Sequence, residues 1–314
     1  MRHSGPDRSE QSYRHEAFLW HDSADFTAGL VPFLEEGLDA GEPTMVAVVP
    51  EHARWLRDAL GERADAIEFV DMHGLGANPA RIIPAWQQFL DDHGDGRQPA
   101  RGVGEPIWPG RRAEELRECQ LHEALLNVAV DPSIPFWLIC PYDAEQLSPP
   151  VVEEAYRSHP VIIEADSYQG SNQYGGRSHL DSLFTAELPE PAPSTRAIHF
   201  SSHTVSRLFA YLKLELYVAG VPQAESAALA AVLGRLAQSS LHRGSHGGTV
   251  RIWRQPDAVV CEVADDTVVS DPLLGRRMPD QQDHDALWHA NQLCDLVQLR
   301  STANGTAVRL HHWT

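Results

Sequence analysis

The chain has 314 residues, more than the roughly 100 to 200 that one ordinary domain holds, so two domains are expected. Its formal charge of -19 and pI near 5.2 argue against a phosphate backbone as the main partner, because nucleic-acid binding calls for clustered positive charge. No apolar run approaches the roughly 20 residues of a membrane helix, no signal peptide is evident, and Cys119, Cys140, Cys261 and Cys294 form no Cys-x-x-Cys pair; a reduced, soluble, cytoplasmic protein without direct nucleic-acid or membrane contact is expected.

Met1 to Tyr13 is polar and aperiodic, the composition of a disordered tail. His15 to Trp20 then reads as a strand, and Asp22 and Ser23 are good caps for a helix carrying Leu30, Phe33, Leu34 and Leu38 and stopping at Gly41. Thr44 to Val49 is the apolar run of a strand covered on both faces. His52 to Leu60 predicts a helix, and Ile67 to Val70 predicts a short strand ending at Asp71. This alternation is the pattern of a doubly wound α/β sheet. A helix from Arg81 to Asp91, a loop from Arg101 to Arg111, a helix to Ala129, a strand from Phe136 to Cys140 and a helix from Pro149 to Ser158 complete it. Ligands in such sheets sit beyond the carboxyl ends of strands, where His21, Asp71, Glu105, Cys140 and Asp143 are expected.

Ser167 to Arg177 is polar and glycine-rich, a candidate lid or linker loop. The proline-rich stretch 188–198 reads as a stiff connector between a domain at 14–187 and another at 199–314. Beyond it come a helix from Ser201 to Ala219 and a second that opens at Pro222 and runs past Leu241. A hairpin joins Val250–Trp253 to Ala258–Val263, a helix spans Ala286 to Leu293, and a second hairpin joins Val297–Arg300 to Thr306–His311 about Asn304-Gly305. The pattern is an α+β sandwich.

The stretch from Gly102 to Asp143 concentrates the reactive side chains. Cys119 and His122, three apart on one helix, share a face; with Cys140 or His159 they either complete a zinc site or line a pocket. Glu105 with Arg111 either orients a polar ligand or fixes the loop as a buried pair. Trp108 faces a ligand or covers the sheet edge. His122 and Glu123 beside Asn127 are candidates for acid–base work, though no nucleophile with a partnered base accompanies them. Arg207, Lys213 and Glu215 on the first C-terminal helix belong either to an interface or to a solvated face.

Four runs, Gly104-Glu-Pro-Ile-Trp-Pro-Gly-Arg111, Glu118-Cys-Gln-Leu-His-Glu-Ala-Leu-Leu-Asn127, Cys140-Pro-Tyr-Asp143 and His159-Pro160, make the N-terminal part resemble the MEDS domain, a sensory module of methanogen and methylotroph regulators. The resemblance implies a RecA-like fold without a phosphate-binding loop and a small organic ligand. Position at the strand ends and the polar loop, helix and strand together give the ligand-contact candidates His21, Asp71, Glu105, Trp108, Arg111, Cys119, His122, Glu123, Cys140, Tyr142, Asp143 and His159.

The C-terminal part is similar to the histidine-kinase-type (Bergerat) ATPase fold of anti-sigma-factor serine kinases, through Leu236-Ala237, Val250-Arg-Ile-Trp253, Asp265, Asp271-Pro-Leu273, Leu287-Trp288, Asn291 to Val297 and Thr306 to Leu310. The resemblance implies a degenerate nucleotide site around Asp265, Ser239 and Asn291. The family's catalytic Glu and magnesium-holding Asn are replaced by Arg235 and Ser239, a glycine by Thr267, and the glycine-rich lid by His284-Asp-Ala286. Serine lacks asparagine's amide oxygen and arginine reverses the charge a base needs. A pseudokinase with no cofactor expected follows, acting on a sigma factor or anti-sigma antagonist, with a homodimer as a further expectation. The alternative is an active ATP- and magnesium-dependent anti-sigma-factor serine/threonine kinase.

Overall fold

The structure is a computed structural model that describes residues 12–93, 98–164, 167–279 and 286–314. Two compact units divide the chain, Met1–Leu180 and Asp181–Thr314.

In the first unit, β1 (Arg14–Trp20) leads into α1 (Ser23–Ala40), which opens where the Asp22 carboxylate accepts from Asp25 N and stops at Gly41, whose φ of 69° is left-handed. β2 (Thr44–Val48) is buried throughout, as a central parallel strand must be. α2 (Pro50–Leu60) begins on proline at its first turn, where the missing N–H costs nothing. Then come β3 (Glu68–Asp71), α3 (Met72–Leu75), α4 (Ile82–Asp92), β4 (Ala100–Gly104), α5 (Ala113–Ala129), β5 (Phe136–Asp143), α6 (Pro149–Ser158), β6 (Val161–Glu164), β7 (Ser167–Gly170) and α7 (Gly176–Phe184), within which the first unit ends. The strands form one seven-stranded sheet in the order β3-β2-β4-β5-β1-β6-β7, parallel except for the β6–β7 pair.

Register decides which side chains meet. Ala17 of β1 pairs with Cys140 of β5 and His15 with Leu138, so His15, Ala17, Leu138, Cys140 and Tyr142 share one face. The alternate positions Phe18, Trp20 and Ile139 join Val46, Val48 and Val103 in the core under α1 and α2.

Several expectations change. The loop expected from Arg101 begins as β4, a buried strand between β2 and β5. Ala-Arg-Gly-Val-Gly has little strand propensity. Its glycines are there for closeness: a Cβ on Gly102 would lie 2.8 Å from the Phe136 ring and 2.9 Å from Leu138, and one on Gly104 3.1 Å from Trp86. Arg101 lies on the other face and bonds Phe33 O and the Glu42 carboxylate. The lid expected at Ser167 to Arg177 is instead the edge strand β7, a turn and the start of α7. Tyr13, expected in the tail, donates its N–H to Pro132 O and stacks on His15 and Phe136; the rest of that tail to residue 11 lies outside the described residues.

The second unit contains β8 (Ala197–Phe200), α8 (Val205–Val218), α9 (Gln223–His242), β9 (Gly248–Gln255), β10 (Ala258–Asp265), α10 (Ala286–Leu293), β11 (Leu296–Thr302) and β12 (Gly305–Trp313). The five strands form an antiparallel sheet, β11-β12-β10-β9-β8. α9 packs on β9 and β10, α10 on β11, and α8 on α9 through Leu208, Leu212 and Leu216 at four-residue spacing. β8 begins inside the stretch expected as connector. Just before it, Pro189 O accepts from Arg309, whose guanidinium also bonds Glu262, and Glu190 reaches Arg251. Among the described residues, no helix is long and apolar enough to cross a membrane.

Candidate functional site

At the carboxyl ends of the parallel strands, most of the expected ligand residues hold the backbone. Asp71 caps α3 through His73 N at 2.8 Å. Asp143 accepts from Glu145 N, Gln146 N and Gln146 Nε2 at 3.1, 2.9 and 2.8 Å, closing the turn after β5. His21 is exposed, its backbone N–H on Asp25. The Asp71 and Asp143 side chains do the structural work aspartates do at turns and caps.

Glu105 and Arg111 do not pair. The Glu105 carboxylate is buried against His52 Nδ1, 2.8 Å from both of its oxygens, and accepts from Val49 N at 3.1 Å. Burial raises its pKa despite those hydrogen bonds. Arg111 donates to Pro106 O (2.7 Å) and Gly76 O (2.6 Å), and its guanidinium stacks 3.6 Å above the Trp108 ring. His73 closes on Trp108 edge-on. Arginine's planar fork suits it to hold two carbonyls while covering an aromatic face. Cys119 Sγ donates to Pro106 O at 3.2 Å, and burial pushes its pKa up to about 12, so it is a neutral thiol buttressing the same loop.

The reactive residues gather elsewhere, between the sheet and α5. Cys140 and His159 do come together, joined by His15 and Glu123 in place of Cys119 and His122. All four are buried, and one ligand atom from each lies within 4.8 Å of the others. Glu123 Oε2 is 3.0 Å from His15 Nε2 and 3.2 Å from His159 Nε2, and Cys140 Sγ is 3.4 Å from His15 Nε2. The His15 and His159 rings lie 4.2 Å apart, and Tyr142 meets His159 edge-on. His122 is buried on α5 outside the quartet.

The surroundings orient these rings. Asn127 Nδ2 donates to Glu123 O, Ala124 O and Ser158 O, at 3.2, 3.4 and 2.8 Å, so its Oδ1 faces His15 Nδ1 at 3.2 Å and accepts from it. His159 Nδ1 donates to Ala155 O at 2.9 Å, at the end of α6. Each ring is thus held through Nδ1 with its Nε2 turned toward Glu123. Among the described residues, Glu123 Oε1, His159 Nε2 and the nearby Tyr13 hydroxyl have no hydrogen-bond partner. Burial would push the pKa of Glu123 up, but hydrogen bonding and charge from His15 and His159 bring it well below the usual carboxylate range. Burial, with His159 beside it, lowers His15, and burial with Glu123 raises Cys140 and Tyr142.

His15 and Asn127 were not among the expected site residues. A lone histidine in an apolar strand reads as packing; its meaning comes from the β1–β5 register.

In the second unit, Arg243 after α9 links the expected nucleotide residues. Its guanidinium donates to Asp265 Oδ2 at 2.9 Å, to Ser239 Oγ at 3.0 Å and to Thr267 Oγ1 at 3.4 Å. Thr267 also donates its N–H and hydroxyl to Asp265 Oδ1. Asn291 donates to Gly275 O at 2.8 Å, and Arg235 is exposed on α9. His284 and Asp285 lie outside the described residues.

Residues 14–160 match the family model of MEDS, the methanogen/methylotroph DcmR sensory domain. No curated protein matches the chain. The C-terminal region carries no family assignment. The motifs of the loop, helix and strand around the buried quartet thus belong to a MEDS sensory domain at residues 14–160, which points to a signal-sensing role.

Proposed function

We propose that the chain is a signal-transduction regulator. A RecA-like MEDS domain at 14–187 binds a small organic ligand. A domain at 199–314 of the histidine-kinase ATPase type, its nucleotide site closed, passes the state on by protein contact in partner-switching control of a sigma factor. The mostly parallel sheet supports the first fold assignment, and the antiparallel sheet with α9 packed on it supports the second.

The observation that carries the pseudokinase part is the Arg243 guanidinium, which engages Asp265, Ser239 and Thr267 together. A nucleotide would have to displace these charge-assisted bonds before Asp265 could meet an adenine amino group. Transmission by contact is supported by α8, whose outer side exposes Phe209, Leu214, Tyr217 and Val218. Several large apolar side chains exposed on one helix favour a protein contact there. Its partner is a sigma factor, an anti-sigma antagonist or a second copy of the chain, and neither ATP nor magnesium is needed.

Isothermal titration of the full chain with ATP and magnesium tests this: no binding heat is expected in the micromolar range, and Arg243→Ala, which frees Asp265, should bind more tightly than the parent. Micromolar binding by the parent together with phosphorylation of an anti-sigma antagonist would overturn the reading.

A further inference from the structure

The geometry points to a metal site in the first unit: His15 Nε2, His159 Nε2, Glu123 Oε2 and Cys140 Sγ take one divalent transition-metal ion of the zinc class. The site owes nothing to the regulatory reading of the second unit.

Three observations carry it. The first is the aim of the rings. Asn127 is locked by three carbonyls into presenting Oδ1 to His15, and Ala155 O fixes His159, so both rings are held with Nε2 aimed at the same carboxylate oxygen. Around that oxygen, His159 Nε2 and the second carboxylate oxygen, Glu123 Oε1, are buried with no hydrogen-bond partner among the described residues. A bound cation would take up both of these unpartnered atoms. Holding the far ring nitrogen with a carbonyl or amide oxygen is also how proteins aim histidines at metals.

The second is spacing. Tetrahedral zinc, with bonds of about 2.0 to 2.3 Å, separates its ligand atoms by roughly 3.3 to 3.8 Å. The distances of 3.0, 3.2 and 3.4 Å fall within a few tenths of an ångström of that range. The donors come from four elements, β1, α5, β5 and the end of α6, and the four ligand atoms all lie within 4.8 Å of one another.

The third is charge. One thiolate and one carboxylate balance a divalent ion, leaving a buried site with no net charge. Binding forms a metal–sulfur bond, and the Cys140 thiol proton leaves to solvent. The mixed nitrogen, oxygen and sulfur set favours zinc or cobalt over magnesium or calcium, which prefer oxygen.

The test uses the full chain, made without a polyhistidine tag in medium supplemented with zinc or cobalt(II). About one metal ion per chain is expected, as a single four-donor site implies. The cobalt form should show a thiolate-to-metal charge-transfer band and intense tetrahedral d–d bands. Cys140→Ser should abolish the charge-transfer band, while Cys119→Ser, whose sulfur is held by Pro106 O, should keep it. X-ray absorption at the zinc edge of the parent protein needs no variant and should find one sulfur, two imidazole nitrogens and one oxygen as nearest neighbours. Folded parent protein that carries no metal, a charge-transfer band that survives Cys140→Ser, or a nearest-neighbour shell without sulfur overturns the site.

Discussion

Asn127 orients the candidate site, because a neutral amide with three carbonyls on its nitrogen has one orientation and therefore keeps its Oδ1 turned to His15 Nδ1 as an acceptor. Its side chain was visible in the motif run of α5, but its partners outside that helix lie in β1 and at the end of α6, beyond the reach of helical spacing. Glu105 illustrates the same limit. Its charge suggests Arg111 as partner, whereas the fold sets it beside His52 and Val49 N. Because burial raises its folded-state pKa, Glu105 holds a proton to higher pH when folded than when unfolded. Its contribution to stability is therefore present at acid pH and lost as pH rises from the ordinary value of 4.5 through the raised one. Urea unfolding at a series of pH values should show the stability of the parent falling relative to Glu105→Gln across that window; a difference independent of pH would rule this out.

At the scale of elements, propensity misleads most where packing is tightest. β4 reads as loop because glycine and arginine are poor strand formers, yet the sheet needs small residues there to admit Phe136, Leu138 and Trp86. Gly102→Ala should accordingly destabilise the protein by about 1–3 kcal/mol, the range for overpacking a filled core, measured as a lowered urea midpoint. α8 offers the opposite contrast within one helix. Leu212 is fully buried, and Leu212→Ala should cost about 2–5 kcal/mol. Leu214 is 60% exposed, and Leu214→Ala should shift stability by no more than about 0.5 kcal/mol while weakening any partner that docks on this face. A pull-down comparing the two variants at matched folded concentration separates the effects.

At the scale of the whole molecule, two units with their own sheets and cores predict two cooperative transitions rather than one. Differential scanning calorimetry should give a calorimetric enthalpy above the van't Hoff value, and a single two-state transition would count against separate cores. Alternating strand and helix patterns, the uninterrupted apolar run of β2, the caps at Asp22 and Gly41 and the Asn304-Gly305 turn are local signals, written in neighbouring residues, so the sequence alone determined the α/β character of the first unit, the hairpins of the second and the motif runs of the sensory domain. Strand order, β-register and side-chain tautomer depend on residues more than a hundred positions apart, as His15 and Cys140 are. Only the tertiary structure decided that the polar residues of α5 meet β1 and the end of α6 rather than the carboxyl edge of the sheet, because parallel pairing across crossover helices leaves no short-range trace of which strands become neighbours.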